Sequence, residues 1–197
     1  MKNSMKIAFA SGAAVLAGMA GNAQAQDLNG FYAGISMNKA VGGDLQWTYY
    51  SDGGGDVGGA AMGVFLGYNF ALQNGWVAGA ELAFSESYDI DSYSGVQIED
   101  VMDLKARLGK TFGKTYAYGI LGYSSADVSW ASAPDFMQAD GSGVSYGLGI
   151  ETSFDNNGFI GGEILRRNID AKNDADPYNA YKVDDLTTIS IRAGFRF

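Results

Sequence analysis

An eight-stranded antiparallel transmembrane β-barrel is the fold class this sequence predicts, and three observations carry the prediction. Apolar and polar residues alternate with period two over eight segments, as in strands with one face against each of two environments. Tight turns alternate with long polar connections between those segments. Aromatic side chains flank each tight turn, where rings at a membrane–water interface would sit.

The elements follow in chain order. Strand one, over about 31–40, sets Phe31, Ala33, Ile35 and Met37 on one face. Strand two, over 60–71, turns Met62, Val64, Leu66, Tyr68 and Phe70 outward against Gly63, Phe65, Gly67 and Asn69. Strand three, over 76–86, opposes Trp76, Ala78, Ala80, Leu82 and Phe84 to Gly79, Glu81, Ala83 and Ser85. Strand four, over 98–112, opposes Met102, Leu104, Ala106 and Leu108 to Asp103, Lys105, Arg107 and Gly109. Strand five, over 116–128, is ambiguous: Tyr118 and Ile120 share one parity, Leu121 and Tyr123 the other. Strand six is the most regular, with Val144, Tyr146, Leu148, Ile150 and Phe154 against glycines, serines and Glu151. Asp155-Asn156-Asn157-Gly158 is a turn signal, strand seven runs over 159–169, and strand eight over 183–197.

The tight turns are 72–75, 113–115 and 155–158, and the long connections are 41–59, 87–97, 129–142 and 170–182. Outer-membrane barrels show this asymmetry, with short periplasmic turns and long outer loops. The predicted inner girdle is Tyr68, Phe70, Trp76, Phe112, Tyr116, Phe154 and Phe159, with Phe197 at the same level. Trp47, Tyr88, Trp130 and Tyr181 are the candidates for an outer girdle.

The first 25 residues read as a signal peptide. Lys2 and Lys6 precede an apolar run over 7–20, and Ala23-Gln24-Ala25 forms an A-x-A cleavage site. That run is shorter than the ~20 residues a spanning helix needs. Cleavage after Ala25 would leave residues 26–197 as one barrel domain. The net charge of −9 falls to −11 without the two signal lysines, which argues against nucleic acid as a partner. The 29 glycines and 2 prolines fit tightly packed strands rather than low complexity, and with no cysteine the fold must hold without disulfides.

Charges on the inward parity are the candidate site. Glu81, Asp103, Glu151 and Glu163 face Lys105, Arg107, Arg192 and Arg196, and most lie a few residues from the tight turns. An eight-stranded bore is about wide enough for side chains to fill. The expected result is a salt-bridge network plugging the bore; a narrow ion path is the competing reading. Strand seven leaves two alternatives open, because alternation from Glu163 sends Leu165 inward and Arg166 toward lipid. Either a bulge near Ile164–Leu165 resets the register, or Arg166 reaches the outer headgroups.

Chemistry is poorly provided for. The absence of His and Cys removes histidine-based triads, histidine metal sites and thiol nucleophiles. Gly53-Gly54-Gly55-Asp56-Val57-Gly58 matches G-x-G-x-x-G but sits in a predicted loop with no helix after it. The acidic loop residues, among them Asp89, Asp91, Asp170 and Asp174, lack the spacing of a calcium loop and read as solvated. No enzyme activity, cofactor or bound metal is expected.

Together with the A-x-A site, Gly30-Phe31-Tyr32-Ala33-Gly34 and Arg192-Ala193-Gly194-Phe195-Arg196-Phe197 carry a resemblance over the whole predicted mature chain. They resemble the small eight-stranded outer-membrane β-barrel family of Proteobacteria, which includes the OmpA barrel, OmpX and the opacity-type porin-family proteins. The resemblance implies a location in the outer membrane of a Gram-negative bacterium, with both termini periplasmic and lipid and lipopolysaccharide as surroundings. It implies a structural role in the cell envelope, with a small pore or a loop-borne adhesin or antigen as alternatives. No partner is needed to close such a barrel, so a monomer is expected. Members with a periplasmic peptidoglycan-binding domain continue past the barrel, and with the chain ending at Phe197 that property is not expected here. Phe197 and Phe195 match the signal read by the barrel-assembly machinery. Deleting Phe197 should lower the amount of folded protein in the outer membrane, measured by fractionation; unchanged levels would refute that role.

Overall fold

The walls of the barrel are set by period-two strands whose two faces meet unlike surroundings. The structure is a computed structural model that describes residues 28–47, 54–90, 96–130, 139–172 and 180–197. The predicted signal peptide and parts of the four long connections lie outside those residues. Ten strands build eight antiparallel walls: β1 (Gly30–Trp47), β2 (Gly54–Gly58), β3 (Ala60–Ala71), β4 (Trp76–Ser85), β5 (Tyr88–Ile90), β6 (Val96–Phe112), β7 (Thr115–Trp130), β8 (Ala139–Ser153), β9 (Gly158–Lys172) and β10 (Ala180–Arg196). The ring closes where β10 pairs with β1, from Tyr32 opposite Arg196 to Trp47 opposite Tyr181. Closure leaves these walls with no open edge to template pairing by another chain.

β2 continues the wall of β3 beyond Gly59, and β5 continues that of β4 beyond residues 86–87. They pair with β1, with one another and with β6, so the wall extends above the membrane-length strands at the long-loop end. The G-x-G-x-x-G match therefore falls largely in a β-strand, with another strand after it. A belt of irregularities lies at this level. Register shifts occur between Ala40 and Asp44 in β1, Glu99 and Met102 in β6, and Val183 and Leu186 in β10. Asp100 and Asp185, at φ 51° and 60°, are the extra residues in β6 and β10. A bulge turns consecutive parities to one side; accordingly Ile98 and Val101 both point into the bore.

Outward parity is apolar over the membrane-length part of every wall, with Ile35, Leu66, Leu104, Leu121, Leu148, Ile164 and Ile191 exposed. Inward parity carries the buried charges. Strand five is resolved without a bulge: Tyr116, Tyr118 and Ile120 are buried, while Leu121 and Tyr123 are exposed. Strand seven is equally regular. Glu163, Leu165, Arg167 and Ile169 all point inward, and the pairing with β8 and β10 is unbroken from Gly158 to Arg167. Arg166 is outward at the long-loop end, where its Nε donates to Asp185 at 2.7 Å.

The aromatic girdle needs two corrections. Tyr116 and Phe159 are buried, 1% and 2% exposed, and face the bore. Parity is the reason: Phe159 lies four residues before Glu163, so it must share that inward face. Phe70, Trp76, Phe112, Phe154 and Phe197 are exposed, and Tyr68 stacks edge-on against Phe31 at 4.8 Å and tilts against Phe70 at 4.7 Å. Of the outer-girdle candidates, Tyr88 is wholly buried instead of lipid-facing. The side chains of Trp47, Trp130 and Tyr181 lie outside the described ones.

Candidate functional site

The bore holds two layers of buried charge. In the layer nearer the tight turns, Glu81 of β4 is the hub. Its Oε2 accepts hydrogen bonds from Tyr32 Oη at 2.9 Å, Arg107 Nη1 at 2.9 Å and Arg192 Nη2 at 2.5 Å, while Oε1 faces Lys105 Nζ at 3.2 Å. Glu163 of β9 accepts from Lys105 Nζ at 2.5 Å and from Arg192 Nη1. Glu151 of β8 accepts from Arg107 Nη2 at 2.7 Å, Tyr118 Oη at 3.1 Å and Arg196 Nη2 at 2.9 Å. Three carboxylates thus bind four cations drawn from β6 and β10, across the full width of the barrel.

The rings of the bore complete this layer. Arg107 lies over the ring of Tyr118 at 3.9 Å, Arg192 over Phe65 at 4.0 Å and Arg196 over Phe159 at 4.3 Å. Guanidinium groups stack on aromatic faces where an ammonium would need more solvent. Glycines make the room. A Cβ on Gly67 would come within 2.3 Å of the Tyr32 ring, and one on Gly149 within 2.2 Å of Tyr118. Inward glycine and inward aromatic are therefore one packing unit, split between neighbouring strands.

The second layer lies toward the long loops. Asp103 is clamped by Arg167, through Nε at 2.8 Å and Nη2 at 2.6 Å, and accepts from Ser124 Oγ at 2.6 Å. Arg167 Nη1 also donates to Thr188 at 2.9 Å. A small polar cavity separates the layers, lined by Ser36, Asn38, Ser85 and Ser190 together with charges from both. Its space is about 10 Å³, the scale of a single water. Beyond Asp103 the interior becomes apolar, with Ile98, Val101, Ile169 and Leu186 at or below 1% exposure.

Six predicted network residues, Glu81, Lys105, Arg107, Glu151, Glu163 and Arg192, meet in the first layer, and Arg196 joins them through Glu151. Asp103 does not meet them; it pairs with Arg167. Sequence reasoning omitted Arg167, although Glu163 has the same parity four residues earlier. It also missed Tyr32 and Tyr118 as hydrogen-bonding members, since an aromatic residue on an inward face reads first as filler.

The hydroxyls and carboxylates that meet here, such as Ser124 on Asp103, are buried within the bore beside charged partners. The arrangement binds the walls of the barrel together across its interior. Charges at this depth are stable only while paired, and loss of one partner strands the rest.

The family comparison agrees with the architecture. The outer membrane protein beta-barrel domain family model matches residues 11–197, and the chain belongs to that family. It is 27% identical over 179 residues to the 31 kDa outer-membrane immunogenic proteins of Brucella melitensis and Brucella suis, covering 81% of this chain and 71% of theirs. Among solved structures it is similar to Ail, the attachment invasion locus protein of Yersinia pestis. That likeness has a TM-score of 0.45 at 19% identity, over 86% of this chain and 99% of that one. The protein resides in the outer membrane of a Gram-negative bacterium.

The two ion-pair settings should behave differently on substitution. Glu81→Ala removes the carboxylate shared by three buried cations and should cost about 3–5 kcal/mol. Arg166→Ala, whose pair with Asp185 lies on the exposed face, should leave stability nearly unchanged. Urea unfolding of the refolded barrel measures both, and equally small shifts would mean that the Glu81 layer is hydrated.

Proposed function

We propose that this outer-membrane barrel has a non-enzymatic, structural role in the envelope and that its bore is plugged by the internal ion-pair network. The observation that carries this reading is the Glu81 layer, where six charged side chains from β4, β6, β8, β9 and β10 interlock at 4% exposure or less. The apolar interior above Asp103 supports it, since an ion entering from outside would have to leave water at Ile98 and Leu186. Lipid surrounds the outward face, and the exposed Lys39 and the Arg166–Asp185 pair near the long-loop end suit the phosphates of lipopolysaccharide. Export would use residues 1–25 as a cleaved signal peptide. Assembly would use Phe195 and Phe197, and the barrel would stand as a monomer.

Planar-bilayer recording on the mature, refolded chain tests the plug. Silence from protein shown to be folded is the expected result. Steady openings whose amplitude changes on neutralising Lys105 or Arg107 would make the barrel a small pore instead.

A second reading concerns the outer face. The Brucella relatives are named as immunogenic, which supports the long connections of this barrel as surface epitopes. Antibodies raised against peptides spanning 41–59 and 129–142 should label intact cells, and labelling only after the outer membrane is permeabilised would refute it.

A further inference from the structure

Leu28 lies before β1 and belongs to no strand, yet only 6% of it is exposed. It clusters with Val77, Tyr116, Tyr118, Ile120 and Leu165. Val77 and Tyr116 are each the second residue of a strand that starts at a tight turn, so this end of the cluster lies at the periplasmic mouth, while Ile120 and Leu165 lie deeper in the bore. A leucine flanking a strand has no need to be there. Left outside, it would simply extend the wall into the periplasm.

Two features fold the segment inward. Asn29 Oδ1 accepts a hydrogen bond from the Ala71 amide at 3.3 Å, which ties the chain to the end of β3. Gly30 has a φ of +132°, a conformation that residues with a Cβ rarely adopt, and a Cβ there would come within 2.6 Å of the Phe197 carbonyl oxygen. Leu-Asn-Gly at 28–30 thus supplies an apolar end, a tether and a bend.

We propose that Leu28, tethered by Asn29 and bent in by Gly30, is a hydrophobic stopper that closes the periplasmic mouth and keeps water from the ion-pair layer behind it. The layer depends on such a seal, because buried pairs weaken as water reaches them. The stopper also stands outside the paired walls. Lifting Leu28 breaks no strand pairing of its own, and the tether from Asn29 to the Ala71 amide is exposed. It is a local cap that opens while the barrel stays intact.

This inference rests on the plugged-bore reading, and the two fail separately. The chain has no cysteine, so Val77→Cys gives a unique thiol at the mouth. Its reaction with a small water-soluble thiol reagent should be slow while Leu28 is present. Leu28→Gly should accelerate it roughly tenfold or more, the factor that losing a buried leucine supports. Asn29→Ala, which keeps the leucine and removes only the tether, should give a smaller acceleration and serves if Leu28→Gly does not fold. Asn74→Cys, in an exposed tight turn, should react rapidly in every background. Heat-modifiable gel migration confirms folding. Equal Val77→Cys rates with and without Leu28 in folded protein would overturn the stopper, and bilayer silence would still leave the ion-pair plug standing. Leu28-dependent labelling of a barrel that conducts would overturn the plug and retain the stopper.

Discussion

The narrowness of an eight-stranded bore governs this protein. Such a barrel encloses space for side chains and little else, so whatever points inward must fit, pair and exclude water together. Glu81 shows how tightly these demands are joined. One carboxylate receives Tyr32, Lys105, Arg107 and Arg192, which come from β1, β6 and β10. The chain positions between those donors and Glu81 differ by as many as 111 residues, so the hub forms only once the barrel is closed.

Size complementarity follows from the same constraint. Long arginines and tyrosines fill a bore of this width only if their neighbours are small. The glycines at 67 and 149, which meet the rings of Tyr32 and Tyr118, supply that space. Each of these glycines goes with the bulky ring beside it, and a side chain in its place would meet that ring. Outside, the same strands meet lipid, and period two keeps the two sets of demands apart. Where the period is broken, at Asp100 and Asp185, the strands have reached the long-loop end and the constraint of lipid has been left behind.

Along its axis the interior is layered. An apolar mouth with Leu28 comes first, then the Glu81 layer, a water-sized polar gap, the Asp103–Arg167 pair and an apolar upper interior. Charged layers between apolar ones suit a low-dielectric interior, where ion pairs hold strongly as long as both members stay in place.

The sequence by itself determined the class of object and the face of most residues. Parity is a local property, so β3 could be read from Ala60 to Ala71 and the charged face of β6 from Asp103, Lys105 and Arg107. The alternation of tight turns with long connections was legible for the same reason. Partnership was not. Parity says that Asp103 and Arg167 both point inward, but their meeting depends on the stagger of β6 against β9, with two walls between them, which closure alone fixes. Tyr116 and Phe159 lie beside tight turns yet face the bore, because parity in the paired strands outranks closeness to a turn. The burial of Leu28 was invisible for a deeper reason: a residue outside every strand has no parity to read. Only the bend at Gly30 and the tether at Asn29 in the closed barrel decide that its side chain fills the mouth.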